Sequence, residues 1–224
     1  MKYVFALILS VNFLVSCNNK KPHRNVRKTV ATDSIQNNID TTATVTAQAQ
    51  DSNNIPSAKQ LIIPAKSIGQ IAIDDKMEDV AKLLGIPDDG DAAMGKSISI
   101  WYSKNPAKKY STTIYSTSNF GDKDESRKVQ NIRVTSPYFI TENYLRCGSD
   151  LSLIQQQYPE LKTPTSHYKD GSAQTTINIY ENIKDGIAFE INKANKCVGI
   201  SVYKSGKRIT QTYLPLFSGV EDYK

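Results

Sequence analysis

Six stretches of this chain alternate apolar and polar residues with a period of two, and that alternation limits what it can fold into more than any other feature. They run over 97–103, 111–117, 129–135, 175–181, 186–192 and 197–203, and β-branched and aromatic residues fill them. Turn-forming residues separate them, among them Asn105-Pro106, Gly121-Asp122 and Lys184-Asp185-Gly186. A period of two sends successive side chains to opposite faces, so each stretch predicts a strand with a buried side. Strands joined by short turns pair antiparallel.

Two segments with helical spacing precede these strands. Met77, Val80, Ala81 and Leu84 stand at i, i+3, i+4 and i+7, and Leu151, Ile154 and Tyr158 repeat that stripe. Asp75 and Asp150 are placed to cap the N-termini, while Gly85 with Pro87, and Pro159, end the two helices. A shift of 74 residues lays Ile71 on Leu145, Ile73 on Cys147, Met77 on Leu151, Val80 on Ile154 and Leu84 on Tyr158. The expected fold class is α+β. Two tandem units, about 68–135 and 140–204, each give a helix followed by three strands. Together they form one antiparallel sheet of about six strands with the helices on one face.

This texture does not extend over the whole chain. From residue 18 to 60 there is no aromatic residue, no Leu and no Gly. Such a segment buries too little apolar surface to offset its ordering entropy, and it predicts a disordered polar tether. Its 43 residues give a mean reach of roughly 35–40 Å. Residues 61–224 carry eleven of the twelve tyrosines and the single Trp, and they suffice for one well-packed domain. Residues 1–60 hold seven basic and three acidic residues, against 21 and 19 in the remainder. The pI near 9.0 therefore comes largely from the head and tether, which argues against a nucleic-acid partner.

The first 17 residues, MKYVFALILSVNFLVSC, open on Lys2 and run apolar from Val4 to Val15. That is the length of a signal h-region and short of the roughly 20 residues a transmembrane helix needs. The closing Leu14-Val15-Ser16-Cys17 resembles the lipobox of bacterial lipoproteins. The resemblance implies that the Cys17 sulfur carries diacylglycerol and that Cys17 leads the processed chain. Each buried CH₂ contributes about 0.8 kcal/mol, so the several chains on a lipoprotein cysteine anchor it stably to a lipid bilayer. Asn18, where Asp would be the alternative, resembles the signal for transfer to the outer membrane. Lys20, Lys21, Arg24, Arg27 and Lys28 either meet anionic headgroups or keep the tether solvated. Surface-exported lipoproteins of the Bacteroidetes resemble one another in placing acidic residues there instead. The expected location is the outer membrane, lipid-anchored and facing the periplasm.

The segment from Asp74 to Asp88, with Val80 and Leu84-Gly85-Ile86-Pro87, resembles a helix motif of the SmpA/OmlA outer-membrane assembly lipoproteins. The helix-then-sheet unit in tandem resembles the β-lactamase-inhibitor-protein fold. Asp74 stands where those families prefer Gly, and Gly148 keeps it in the second unit. The resemblance implies a domain that binds another envelope protein.

Little in the sequence points to catalysis. The histidines are His23 and His167, and there is no H-E-x-x-H, G-x-S-x-G, C-x-x-C or phosphate-cradling loop. The chain is expected to be non-catalytic, with no metal and no cofactor. Asp88-Asp89-Gly90-Asp91 lacks the spacing of a calcium loop and reads as a polar connection. An exported compartment permits a disulfide between Cys147 and Cys197, and their core-like positions equally suit two buried thiols. The tail from residue 209, with Tyr213, Leu214, Leu216 and Phe217, either packs on the sheet edge or serves as a docking segment. Parity along the strands sends Ile98, Ile100 and Ile179 to the core. It turns Trp101, Tyr115, Arg133, Tyr180 and Tyr203 to the opposite face. Such a face has the composition of a protein-recognition surface. A small ligand or glycan stacking on the same aromatics is the alternative.

Overall fold

The computed structural model describes residues 56–224, apart from 106, 108, 122, 172 and 173. The signal segment, Cys17 and the tether through residue 55 lie outside the described residues. Just ahead of residue 61 the amides of Gln60 and Leu61 donate to the Ser57 carbonyl at 2.8 and 3.1 Å.

Three short strands come first, β1 (Leu61–Ile63), β2 (Ser67–Ile68) and β3 (Ile71–Ala72). Helix α1 (Met77–Leu84) leads into β4 (Asp89–Ala93), β5 (Lys96–Tyr102), β6 (Ser111–Thr117) and β7 (Lys128–Val134). After β8 (Ile140–Thr141), helix α2 (Leu151–Gln157) leads into β9 (Ser166–Lys169), β10 (Thr176–Asn182), β11 (Ile187–Ile191) and β12 (Cys197–Tyr203). The two-residue β13 (Glu221–Asp222) closes the series.

The fold class expected from the sequence is thereby corrected. The domain is mostly β, not a balanced α+β fold with helices layered on a six-stranded sheet. Nine strands form one antiparallel sheet in the order β13-β9-β10-β11-β12-β7-β6-β5-β4. A second sheet, β3-β2-β1-β8, contains the parallel pair β1–β8. The helices have eight and seven residues, and each buries one side chain fully, Val80 and Ile154. β4 and β9 went unanticipated because DGDAA and SHYK lack apolar alternation. Strands of two or three residues are too short to show a period at all.

The large sheet consists of two antiparallel meanders, β4–β7 and β9–β12, joined where β12 pairs with β7. The two helices start in the same way. Met77 N–H donates to Arg127 O and Leu151 N–H to Asn195 O, each at 2.9 Å. Asp74 N–H donates to Val129 O at 2.9 Å, and Gly148 N–H to Cys197 O at 2.7 Å. Val129 N–H returns to Asp75 O and Cys197 N–H to Ser149 O, again at 2.9 Å. Each helix start is thus tied to the last strand of its own meander. This replaces the side-chain caps expected of Asp75 and Asp150, which make no cap hydrogen bond. Asp75 instead accepts from Ala72 N–H at 2.7 Å, and Asp150 pairs with Lys196 at 2.7 Å.

Asp74 and Gly148 occupy the same place and share a left-handed backbone, with φ of +70° and +101°. Gly adopts that region freely and Asp tolerates it. An ideal Cβ at Gly148 would meet nothing within 4 Å, so only the backbone disfavours a side chain there. Gly148→Ala is therefore expected to destabilise the domain by about 1–2 kcal/mol, read from urea unfolding midpoints.

Candidate functional site

Cross-strand register fixes the face of each side chain that the sequence offered as a recognition surface. Partners across an antiparallel pair project to the same side. One row of partners runs Trp101, Thr112, Val134, Ile200, Phe189 and Tyr180. It faces the helices and belongs to the main core with Val80, Ile154 and Ile62. Trp101 and Tyr180 therefore lie opposite to their expected side, and both are buried. The Trp101 indole N–H donates to Gly85 O at 3.1 Å, where α1 ends. Burial raises the pKa of Tyr180. Ile98 and Ile100 occupy the far face, in register with Tyr115 and Thr113, and Ile179 packs there too. Apolar residues therefore occupy both faces of β5 and β10, and their parity does not say which face is inward.

Tyr115, Arg133 and Tyr203 do project from the far face, but the chain after β12 covers it. Ile209, Leu214 and Phe217 are buried against the sheet, and β13 pairs with β9. Tyr203 is 1% exposed and packs with Ile179, Ala188, Ile209 and Phe217. The tail thus packs across a face of the sheet, not along its edge alone, and the five aromatic and basic residues form no open surface.

Beneath the tail is a buried polar cluster. The Arg133 guanidinium grips Glu190 through Nε and an Nη at 2.6 and 2.7 Å. The Tyr168 hydroxyl donates to the same carboxylate at 2.6 Å. The Phe217 ring stacks on Tyr168 at 5.1 Å and sits 5.5 Å from the guanidinium carbon. Glu190 fits because its partner across the sheet is Gly199, where a Cβ would lie 2.3 Å from Oε1. A second buried carboxylate, Glu181, accepts from Arg208 Nε at 3.2 Å and from the Ile209 amide. Arg208 also holds Asp222 at 2.8 and 3.0 Å, which ties the tail to β13.

Cys147 and Cys197 are free thiols, both buried. They are therefore not joined by the disulfide that the sequence left open. Cys147 donates to Val134 O at 3.6 Å and Cys197 to Gly199 O at 3.3 Å. The hydrogen bond to Cys147, together with burial, holds the Cys197 thiol well above its usual range. Among the described residues no group of three or more His, Cys, Asp and Glu is arranged to hold a metal. His167 lies 4.6 Å from the Tyr223 ring and 3.6 Å from Glu221.

The open surface lies elsewhere. Among the described residues β4 pairs with β5 alone, and Asp89 through Ala92 are exposed. No strand pairs along its outer edge among the described residues, and the amides of Gly90 and Ala92 donate to the Asp89 and Asp91 carboxylates at 2.8 and 2.7 Å. Gly90 is required there, because a Cβ would meet Ile98 O at 2.3 Å. Ile86 is 90% exposed just before the strand. Met94 and Phe120 are 72% and 73% exposed at its other end. Tyr213 reaches Met94 Sδ at 3.1 Å, and Lys96 lies over the Tyr213 ring at 5.2 Å. Asp88, Asp89 and Asp91 give the edge a negative charge. The segment read as a polar connection is this edge strand, and no alternation in DGDAA could have revealed it.

Removing Arg133 would leave Glu190 buried without its cation. Arg133→Met is expected to cost about 3–5 kcal/mol, whereas Arg133→Met with Glu190→Leu costs much less. Chemical denaturation of both variants measures this. Burial, with the charge of Glu190, raises the Tyr168 pKa, and burial with Glu181 raises that of Tyr203. Burial pushes Tyr158 up to about 12. An unfolded tyrosine ionises near pH 10. Stability from these groups is therefore fully present below about pH 10 and falls as pH rises above it. Urea midpoints from about pH 8 to 11 are expected to show that decline, less steeply in Tyr168→Phe.

No family model and no curated protein sequence matches this chain. The structure is similar to the crystal structure of a DUF4309 family protein, YjgB, from Bacillus subtilis subsp. subtilis str. 168. That likeness has 9% sequence identity and a TM-score of 0.37, and it covers 62% of this chain and 88% of the other. At that score it carries no argument about fold or function.

Proposed function

We propose that this chain is a lipid-anchored envelope protein whose folded domain is non-catalytic and recognises another protein through the β4 edge. The unpaired outer side of β4, flanked by exposed Ile86, Met94 and Phe120, carries this reading. An exposed edge strand accepts an extended segment of a partner as an added strand, here once the Asp89 and Asp91 side chains give up the Gly90 and Ala92 amides. The exposed apolar side chains at both ends supply the contacts that such pairing needs for affinity. The aspartates select a segment with basic residues. Cys17 anchors the chain in the outer membrane, and the tether lets the domain reach partners on the periplasmic side.

The test places a photo-crosslinking amino acid at position 92 in cells, with another at the distant surface position Lys162. A discrete crosslinked species is expected from position 92 alone. Asp91→Lys with Met94→Asp is expected to abolish it, because an edge lysine blocks strand addition. The melting temperature should hold, since both side chains are exposed. Cys17→Ala should release the protein from the membrane fraction and reduce the crosslink. Equal crosslinking from both positions, or an unchanged yield in the edge variant, would refute this reading.

A further inference from the structure

Between the tail and the far face of the sheet is a cavity of about 180 Å³, lined on the sheet by β6 and β7, with β5 between it and β4. Tyr115 and Asn131 form its sheet side, and Lys204, Lys207, Arg208 and Thr212 contribute from the chain that follows β12. No carboxylate among the described residues lines it.

Four of the polar side chains around it are already engaged, Gln130 by the Lys128 and Val129 carbonyls. Lys204 pairs with Asp74 at 2.6 Å. Arg208 is held by Glu181 and Asp222. The Thr212 hydroxyl donates to Leu214 O at 2.7 Å. Besides the Thr117 and Gln211 side chains, three donors remain. Asn131 is 7% exposed, yet its Nδ2 has no acceptor among the described residues. The Tyr115 hydroxyl accepts from Tyr213 N–H at 3.3 Å, which leaves its own proton to give. The Lys207 ammonium makes no ion pair among the described residues. A buried amide donor without an acceptor is costly, and native folds rarely keep one unless something else satisfies it. Two neutral donors and one uncompensated cation around one small space ask for an acceptor bearing a single negative charge.

We propose that this cavity binds one oxyanion group, a carboxylate or a phosphate, of a small molecule. Asn131 and Tyr115 donate to its oxygens from the sheet, and Lys207 closes over it from the tail. The site is distinct from the β4 edge, so either can fail without the other.

The test titrates the full-length protein in detergent micelles with inorganic phosphate, with glucuronate and with glucose as its uncharged counterpart, read by calorimetry. At least one of the two anions is expected to bind saturably, and glucose is not. Binding by phosphate alone assigns a phosphate ligand, and binding by glucuronate alone assigns a carboxylate. Lys207→Met is expected to weaken the anion about tenfold, as loss of a charge-assisted hydrogen bond should. Its melting temperature should not change. Asn131→Asp, which replaces a donor with a negative charge, is expected to abolish binding, while Asp91→Lys leaves it intact. No saturable binding of either anion, glucose binding as well as glucuronate, or wild-type affinity in Lys207→Met would overturn the proposal.

Discussion

The pairing of β12 with β7 turns two four-stranded meanders into one sheet. Four residue pairs make the joint: Ile200 with Val134, Ser201 with Arg133, Val202 with Ile132, and Tyr203 with Asn131. On one side these pairs continue the apolar rows that pack under both helices and the small sheet. On the other they place Arg133 and Tyr203 beneath the tail. The same strands reach back to fix the starts of α1 and α2 through the amides of Met77 and Leu151. Loss of the joint would expose the edges of both meanders and unseat both helices.

Burying both faces of a sheet creates an electrostatic obligation. The far face carries Arg133, Glu190 and Glu181, and a charge taken out of water is tolerated only when paired and hydrogen-bonded. The bidentate grip of Arg133 on Glu190, the Tyr168 hydroxyl and the bare Gly199 beneath the carboxylate meet that demand. Phe217 and Ile209 then exclude water from above. A hydrophobic pair could match the stability of Arg133 with Glu190, whereas the tail is held by Arg208, which meets both Glu181 of β10 and Asp222 of β13.

Strand positions were readable where the chain alternates: β6 and β12 fall on 111–117 and 197–203, as expected. Their burial was not readable. In β5, the run Ser-Ile-Ser-Ile-Trp-Tyr offers isoleucines to one face and Trp101 to the other. Once the tail covers the far side, both faces accept apolar groups, and hydrophobicity no longer marks the core. Helices ending at Gly85 and near Pro159 were legible from their punctuation, and their caps were not, because the satisfying carbonyls come from residues about 45 to 50 positions away. The edge strand β4 had no signal, since it buries nothing on its own account.

The order of elements along the chain has a kinetic side. Every strand of the large sheet except β13 precedes the tail, so a chain synthesised from its N-terminus delivers the cover last. Until residues 207–222 arrive, Arg133, Glu190 and Tyr203 face water over a half-finished sheet, and the joint between meanders spans some seventy residues of sequence. Contacts so distant form slowly. An interval therefore exists in which the far face is open and prone to aggregation.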